Sequence, residues 1–290
     1  MATVLSDIPL AGVPLDADQQ KVVAHRKGTA AVAASAGCHR AGQLVLMFDG
    51  SLKKVEDVIT GDLLMGPDST PRTVLQLCRG KQSMAKIVPV KGESFVVNLD
   101  HVLSVQLSGW RYPSEPIDLT VRDYLRQGAT FQKDSKLFRV GVEFPESRLA
   151  RPIDSYFMGV LLGDGCLLNI PQVSKPDQFI FDLMTTQAQV WGLTVRTDYN
   201  KDGCPSHHLT TGPTQRGVKA GEYNKNPLTA ALRSLELWGH TGATKFIPTA
   251  YKLASRADRL ALIAGLIDTD GHIHMGGCDF VSLSYGLASD

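Results

Sequence analysis

Apolar and polar residues alternate with a period of two between residues 43 and 107 and shift to a helical period beyond Ile153, a change that divides the chain in two. In the first stretch QLVLMF, then Asp49-Gly50, then SLKKV reads as a hairpin closed by a two-residue type I′ turn. Turn chemistry recurs at Thr60-Gly61-Asp62 and Gly66-Pro67-Asp68, and two further β-rich runs follow, RTVLQLC at 72–78 and ESFVVNLDHVLSVQL at 93–107. The pattern predicts an all-β segment and speaks against a parallel βαβ architecture. Residues 108–152 hold Trp110, a helix around VRDYLRQG and a polar passage ending EFPESRLARP. Beyond it DSYFMGVLLGDG, DQFIFDLMTTQAQVWG, NPLTAALRSLELWG and SRADRLALIAGLIDTDG read as helices, with LTVRTDY and HHLTTG as strands between them. Upstream, Asp16 with Gln19 three residues later forms a capping box that predicts a helix over 16–27 ended by Gly28. TAAVAA at 29–34 then reads as a buried strand running into Ser35-Ala36-Gly37. One repeat stands out: VLLGDG at 160–165 and GLIDTDG at 265–271 each end an apolar helix in Asp-Gly.

At 290 residues and 43% hydrophobic, the chain can bury about two ordinary cores, which removes disorder as a reading. Its net charge of +1 favours neither a nucleic-acid binder nor an acidic-surface protein, so any DNA contact must come from a local patch. Five widely spaced cysteines without a CxxC pair fit neither a disulfide framework nor a structural zinc site. With no signal-like N-terminus and no apolar run long enough to span a bilayer, the expectation is a soluble, cytoplasmic protein with no membrane partner.

The first chemical constellation begins at Cys38. A thiolate directly after Gly37 is placed to attack the preceding carbonyl and turn the Gly37-Cys38 amide into a thioester. That shift is uphill unless the peptide is strained and its nitrogen protonated, and a histidine is the natural proton donor. CHRAGQLVLMFDGSLKKVEDV, from Cys38 to Val58, resembles the N-terminal splicing block of inteins, and VVNLDHVLSV, from Val96 to Val105, resembles their second block. The resemblance implies Cys38 as first nucleophile and His101 as the group that destabilises the scissile peptide and protonates its nitrogen. It implies Asn98, where Thr is commoner, as hydrogen-bonding helper and Asp100 as a positioning residue.

The second constellation is the repeat. Gly159 and Gly163 are four apart, as are Ala261 and Gly265, so each helix presents a stripe of small residues and two such helices can pack closely. Their ends then bring Asp164 and Asp270 side by side, a pair suited to a hard divalent cation. SYFMGVLLGDG and RLALIAGLIDTDG resemble the two signature helices of LAGLIDADG endonucleases, the first with Leu162 where the signature has its first Asp. The resemblance implies Asp164 and Asp270 as the acids that hold Mg²⁺, and double-stranded DNA as the partner. KFIP at 245–248 resembles the family's lysine block, which implies Lys245 as a stabiliser of transition-state charge.

LDADQQKVVAHRKGTAAVAASAG resembles the start of superfamily 1 DNA helicases, with Gln19 or Gln20 as the characteristic glutamine and a strand entering a phosphate loop. No G-K-[ST] follows Gly37, so this chain is not expected to bind ATP. The last residues, VSLSYGLASD, hold no His-Asn pair, so the expected chemistry stops at the Gly37-Cys38 thioester, with the C-terminal intein and extein segments as missing partners. The expected fold is multidomain α+β: an N-extein at 1–37, an all-β Hint (horseshoe) splicing segment at 38–150, and an α/β LAGLIDADG domain at 151–290 whose second half is incomplete, the whole a monomer. Two other readings compete, a free-standing LAGLIDADG endonuclease with an inactive splicing segment and a fragment of an ATP-dependent helicase. Cys38 in its block separates the first from the splicing reading, and the absent G-K-[ST] separates the second.

Overall fold

The computed structural model describes residues 39–90, 92–108, 115–145, 149–212, 226–275 and 277–290, together with the backbone of 2–5. The expected helix at 16–27, the strand at 29–34, the glutamines at 19 and 20, Gly37, Cys38 and Trp110 lie outside these residues. The chain divides into two compact units, Met1–Pro145 and Glu146–Asp290.

The first unit is built from small antiparallel sheets. Strand β1 (Ala2–Leu5) pairs with β6 (Met84–Ile87), which pairs with β7 (Phe95–Asn98). β8 (Val102–Leu107) lies between β9 (Ile117–Thr120) and β10 (Ser135–Leu137). Along β8 the buried Leu103 and Val105 alternate with the exposed Val102 and Ser104, as the period-two pattern requires. Leu103 and Val105 join Ala85, Ile87, Val97 and Val121 in one apolar cluster. Two hairpins complete the unit, β2 (Leu44–Leu46) with β3 (Leu52–Lys54) and β4 (Leu63–Met65) with β5 (Pro71–Thr73). The first hairpin corrects the expected two-residue turn. Gly50 N bonds Met47 O and Met47 N bonds Ser51 O, and only Gly50 of the Asp49-Gly50 pair has positive φ, at 85°. That is a three-residue loop, a type I turn followed by a left-handed glycine, because Asp49 stays at negative φ and spends its carboxylate on Ser51 N and Oγ.

Helix α1 (Val121–Arg126) starts with a reciprocal cap in which Thr120 Oγ1 accepts from Asp123 N and donates to Asp123 Oδ2. Its first two amides, Val121 N and Arg122 N, donate to the carbonyls of His101 and Leu99, which fixes the turn between β7 and β8. α2 (Ala129–Asp134) follows and leads into β10.

The second unit mixes helices with a four-stranded antiparallel sheet. α3 (Ser155–Leu162) leads into β11 (Gly165–Cys166) and β12 (Gln172–Ser174). α4 (Gln178–Trp191), ended by Gly192 in the left-handed region, precedes β13 (Thr194–Tyr199) and β14 (Pro205–Thr210). The sheet order is β11-β12-β14-β13. α5 (Pro227–Ser234), capped by Asn226, and α6 (Thr249–Lys252) bring the chain to α7 (Arg256–Asp270). The hairpin β15 (Gly271–His274) with β16 (Gly277–Phe280) and α8 (Tyr285–Ser289) finish the unit. Helix, Asp-Gly and antiparallel hairpin thus occur twice, with Gly165 opposite Val173 in one copy and Gly271 opposite Phe280 in the other. The first copy buries Phe157 and Leu167 completely, whereas in the second Ile263 and Ile273 face solvent.

Candidate functional sites

In the first unit the turn between β7 and β8 carries three of the residues singled out in the sequence. Asn98 ends β7 and is buried; its Nδ2 donates to Gln82 Oε1, while its Oδ1 has no hydrogen-bond partner among the described residues. Asp100 is exposed and forms an ion pair with Arg122 at 2.8 Å, which ties the turn to the first turn of α1. His101 is half-buried, and its ring stands edge-on to His39 with centroids 4.8 Å apart. Burial, and then the charge of His39, push the His101 imidazole down to about 4. Burial lowers His39 as well, and its Nδ1 is buried without a partner.

Cys38 lies outside the described residues, but its covalent neighbour does not. His39 bridges Val97 in antiparallel register and Arg40 N bonds Val96 O at 3.0 Å, so the segment that begins the splicing block runs beside β7. Among the described residues, Asn98 Oδ1 and His39 Nδ1 are buried polar atoms without partners, and His39 follows Cys38 directly in the sequence. Leaving such an atom unpaired typically costs about 1–3 kcal/mol, so each is prepared to receive a hydrogen bond. His39 and Gln82 were not singled out from sequence; His39 could have been, as an imidazole directly after the cysteine.

In the second unit α3 and α7 cross in backbone contact. A Cβ on Gly159 would stand 3.0 Å from Gly265 Cα and collide with the Leu262 carbonyl, and one on Gly163 would collide with Thr269 Oγ1. The face of α7 that meets α3 includes Leu262, Gly265 and Thr269, with Asp268 at its edge, as a helix of 3.6 residues per turn places them. Further bonds pin the pair along its length: Ser155 Oγ and Ser255 Oγ both donate to Asp258, and Tyr156 OH donates to Asp268 Oδ2 at 2.7 Å.

The helix ends bring Asp164 and Asp270 together. Burial, the negative charge of Asp164 and a hydrogen bond between the two carboxyls hold Asp270 above the ordinary carboxylate range, with Lys245 and Lys175 opposing that rise. Lys245 is buried beneath them, and its amine donates to four carbonyl oxygens at the end of α3, those of Leu161, Leu162, Gly163 and Gly165, at 2.6–3.0 Å. Burial lowers its pKa to about 8, against the pull of Asp270 and Asp164, so the ammonium form prevails at neutral pH. Lys175, which no sequence pattern marked, does the same for the other helix: its Nζ bonds the carbonyls of Asp268 and Thr269 and pairs with Asp164 Oδ2 at 3.2 Å. Each of the two helices thus ends on a lysine that neutralises its negative pole, and both charges lie beside the two acids.

Two carboxylates with nearby carbonyls suit an ion such as Mg²⁺, which takes one or two protein carboxylates and keeps several waters. Among the described residues no group of three His, Cys, Asp or Glu side chains is arranged to hold a metal. No helix among them is long and apolar enough to cross a membrane.

Residues 38–109 match the family model for the Hint domain associated with homing endonucleases, which supports an intein-type Hint domain there. The chain is also similar to a catalytic subunit of the V-type proton ATPase from Candida tropicalis, 38% identical over 77 residues, covering 23% of this chain. The chain spans 7% of the length of that relative.

Proposed function

We propose that the chain joins an intein-type self-processing segment, beginning at Cys38, to a LAGLIDADG-type endonuclease unit that cuts double-stranded DNA. The observation that carries the reading is the meeting of Asp164 and Asp270 at the ends of two glycine-contacted helices, in a chain whose residues 38–109 match a Hint domain associated with homing endonucleases.

At the first site Cys38 Sγ attacks the Gly37 carbonyl, forming the S–C bond as the C–N bond breaks, and the scissile nitrogen takes a proton. Neutral His101 donates a hydrogen bond to that nitrogen. In its protonated form, with a midpoint of about 4, it gives the proton up readily. Asn98, rigid because Gln82 and β7 hold it, offers its free Oδ1 to polar hydrogens of the strained peptide. Asp100 acts through its ion pair with Arg122, which keeps the His101 turn against α1.

At the second site Asp164 and Asp270 would hold Mg²⁺, which would supply an activated water and stabilise the departing phosphodiester oxygen. Lys245 and Lys175 oppose the rise of the Asp270 carboxyl and fix the helix ends that carry the two acids. The sheet supports a DNA partner. Val173, Leu209 and Val195 turn to the core, which leaves Ser174, Ser206, Arg196, Asp198 and Thr194 to form a polar outer face with hydrogen-bonding groups at strand spacing. The upstream residues belong to a host protein, for which a helicase-type ATPase is the reading their sequence favours.

Two variants of the full chain test the two sites separately. Cys38→Ala abolishes dithiothreitol-induced release of residues 1–37, read by mass spectrometry, and leaves DNA binding intact. Asp270→Asn abolishes Mg²⁺-dependent nicking of a plasmid library and leaves thiol cleavage intact. Identical phenotypes would overturn the two-site reading.

A further inference from the structure

His39 is the residue at the first site that the proposed chemistry leaves unused. Its ring lies against His101, edge to face at 4.8 Å; its Nδ1 is buried and unpaired; and its backbone is locked to β7 through the bridge to Val97. A half-buried imidazole with no carboxylate, hydroxyl or carbonyl of the described residues on its inner nitrogen makes no structural use of its polarity among them, since a phenyl ring would fill the same space without an orphaned atom. Two imidazoles at this separation, shielded from water, resist carrying two charges.

The charged groups on the surrounding elements do not supply an alternative partner. Asp100 and Arg122 are exposed and neutralise one another, and Asp123 on α1 is committed to the Thr120 cap. Lys86 on β6 is exposed, Asn98 and Gln82 are uncharged, and Arg40 follows His39 with its amide bonded to Val96. Among the described residues, the one charge that acts on His101 is that of His39.

We propose that His39 is a positioning residue for His101: its ring shuts His101 off from water and restricts the pair to a single proton, so that His101 meets the scissile nitrogen as a neutral donor or as a strong acid. The role in peptide rearrangement rests on the splicing reading above; the coupling of the two rings does not. A single shared proton makes the acid limb of the first step depend on His39, although His39 touches no reacting atom.

The test is an imidazole NMR titration of the full chain carrying Cys38→Ala, with and without His39→Phe, and with His39→Gln as a second variant should the first fail to fold. With His39 in place, His101 titrates well below the free imidazole. In His39→Phe, which keeps the ring and removes its charge, the proton affinity of His101 rises about tenfold, and in His39→Gln it rises at least as far. An unchanged His101 midpoint in a folded variant overturns the proposal. In the chain with Cys38 intact, the acid limb of dithiothreitol-induced cleavage moves to higher pH with His39→Phe, whereas a merely structural ring would change the rate at every pH alike. If the unaltered chain shows no Cys38-dependent cleavage while the titration still shifts, the splicing reading falls and the coupling of the rings stands.

Discussion

Gly159 on α3 and Gly265 on α7 touch through their backbones: a Cβ on either would meet the other's Cα at 3.0–3.1 Å and collide with a carbonyl of the facing helix, Leu262 or Tyr156. Backbone cannot give way as a side-chain tip can. Gly265→Ala is therefore expected at the upper end of overpacking costs, about 3 kcal/mol, in urea denaturation of the full chain. Gly242→Ala, where a Cβ meets open space, is the control and changes stability by no more than about 0.5 kcal/mol. Equal effects at the two positions would remove close helix contact as the reason for the glycines.

This contact was legible in the sequence because glycines four apart on an apolar helix have few other uses, and so was the burial of Leu103 and Val105 along β8. On the partner helix the spacing marked Gly265, whereas Leu262 and Thr269, which the crossing also brings against α3, are not small residues that such a stripe would mark. The Asp49-Gly50 turn was misread because the dipeptide suits two loop lengths, and the register of Leu46 with Leu52 selects the longer. Short strands such as β6, β9 and β10 carry too few residues to show a period. The contacts of Lys245 and Lys175 lay beyond sequence reasoning for a different reason: what their amines touch is set by loops that return to helix ends some 80–95 positions away along the chain.

Lys245 binds four carbonyls at the end of α3 with an ammonium that has three hydrogens, so its removal strands several buried acceptors at once. Lys245→Met is expected to cost about 3 kcal/mol and to loosen the α3 end, read as faster amide exchange at Gly163 and Gly165. Lys252→Met, at a partly exposed ion pair with Asp290, provides the comparison and costs about 1 kcal/mol or less. A loss at Lys245 no larger than that at Lys252 would contradict the capping role.

The depressed His101 midpoint has a stability consequence with a definite sign. Unfolded, the imidazole binds a proton at about 6.5; folded, it refuses one until about 4. Between those values the unfolded chain holds more protons, so stability is full above 6.5 and is lost as pH falls toward 4. His101→Gln removes this contribution. The gap between parent and variant should narrow by about 2 kcal/mol from pH 7 to pH 4, in parallel urea titrations. His207 and His208 share the direction of shift and remain unchanged in both proteins, so the difference reports His101 together with its coupling to His39. A gap that does not change with pH would mean that His101 is solvated.

Asp270 carries the opposite sign. Its carboxyl is held above the ordinary range by burial and by the neighbouring Asp164, so the folded chain binds a proton that the unfolded chain has already released. Stability from this group is present at acid pH and lost as pH rises through the raised value, because the charge Asp270 then gains is repelled by that of Asp164 across the helix ends. Asp270→Asn removes the repulsion and should raise the thermal midpoint at pH 7, an effect softened by the exposure of the carboxylate. A divalent cation relieves the same repulsion by binding between the acids, so Mg²⁺ should raise the midpoint of the parent and leave that of Asp270→Asn unmoved. Scanning calorimetry with and without Mg²⁺ reads both effects without any nuclease assay. A parent midpoint indifferent to Mg²⁺, or a variant less stable than the parent, would show that the two acids serve the helix crossing and not a cation.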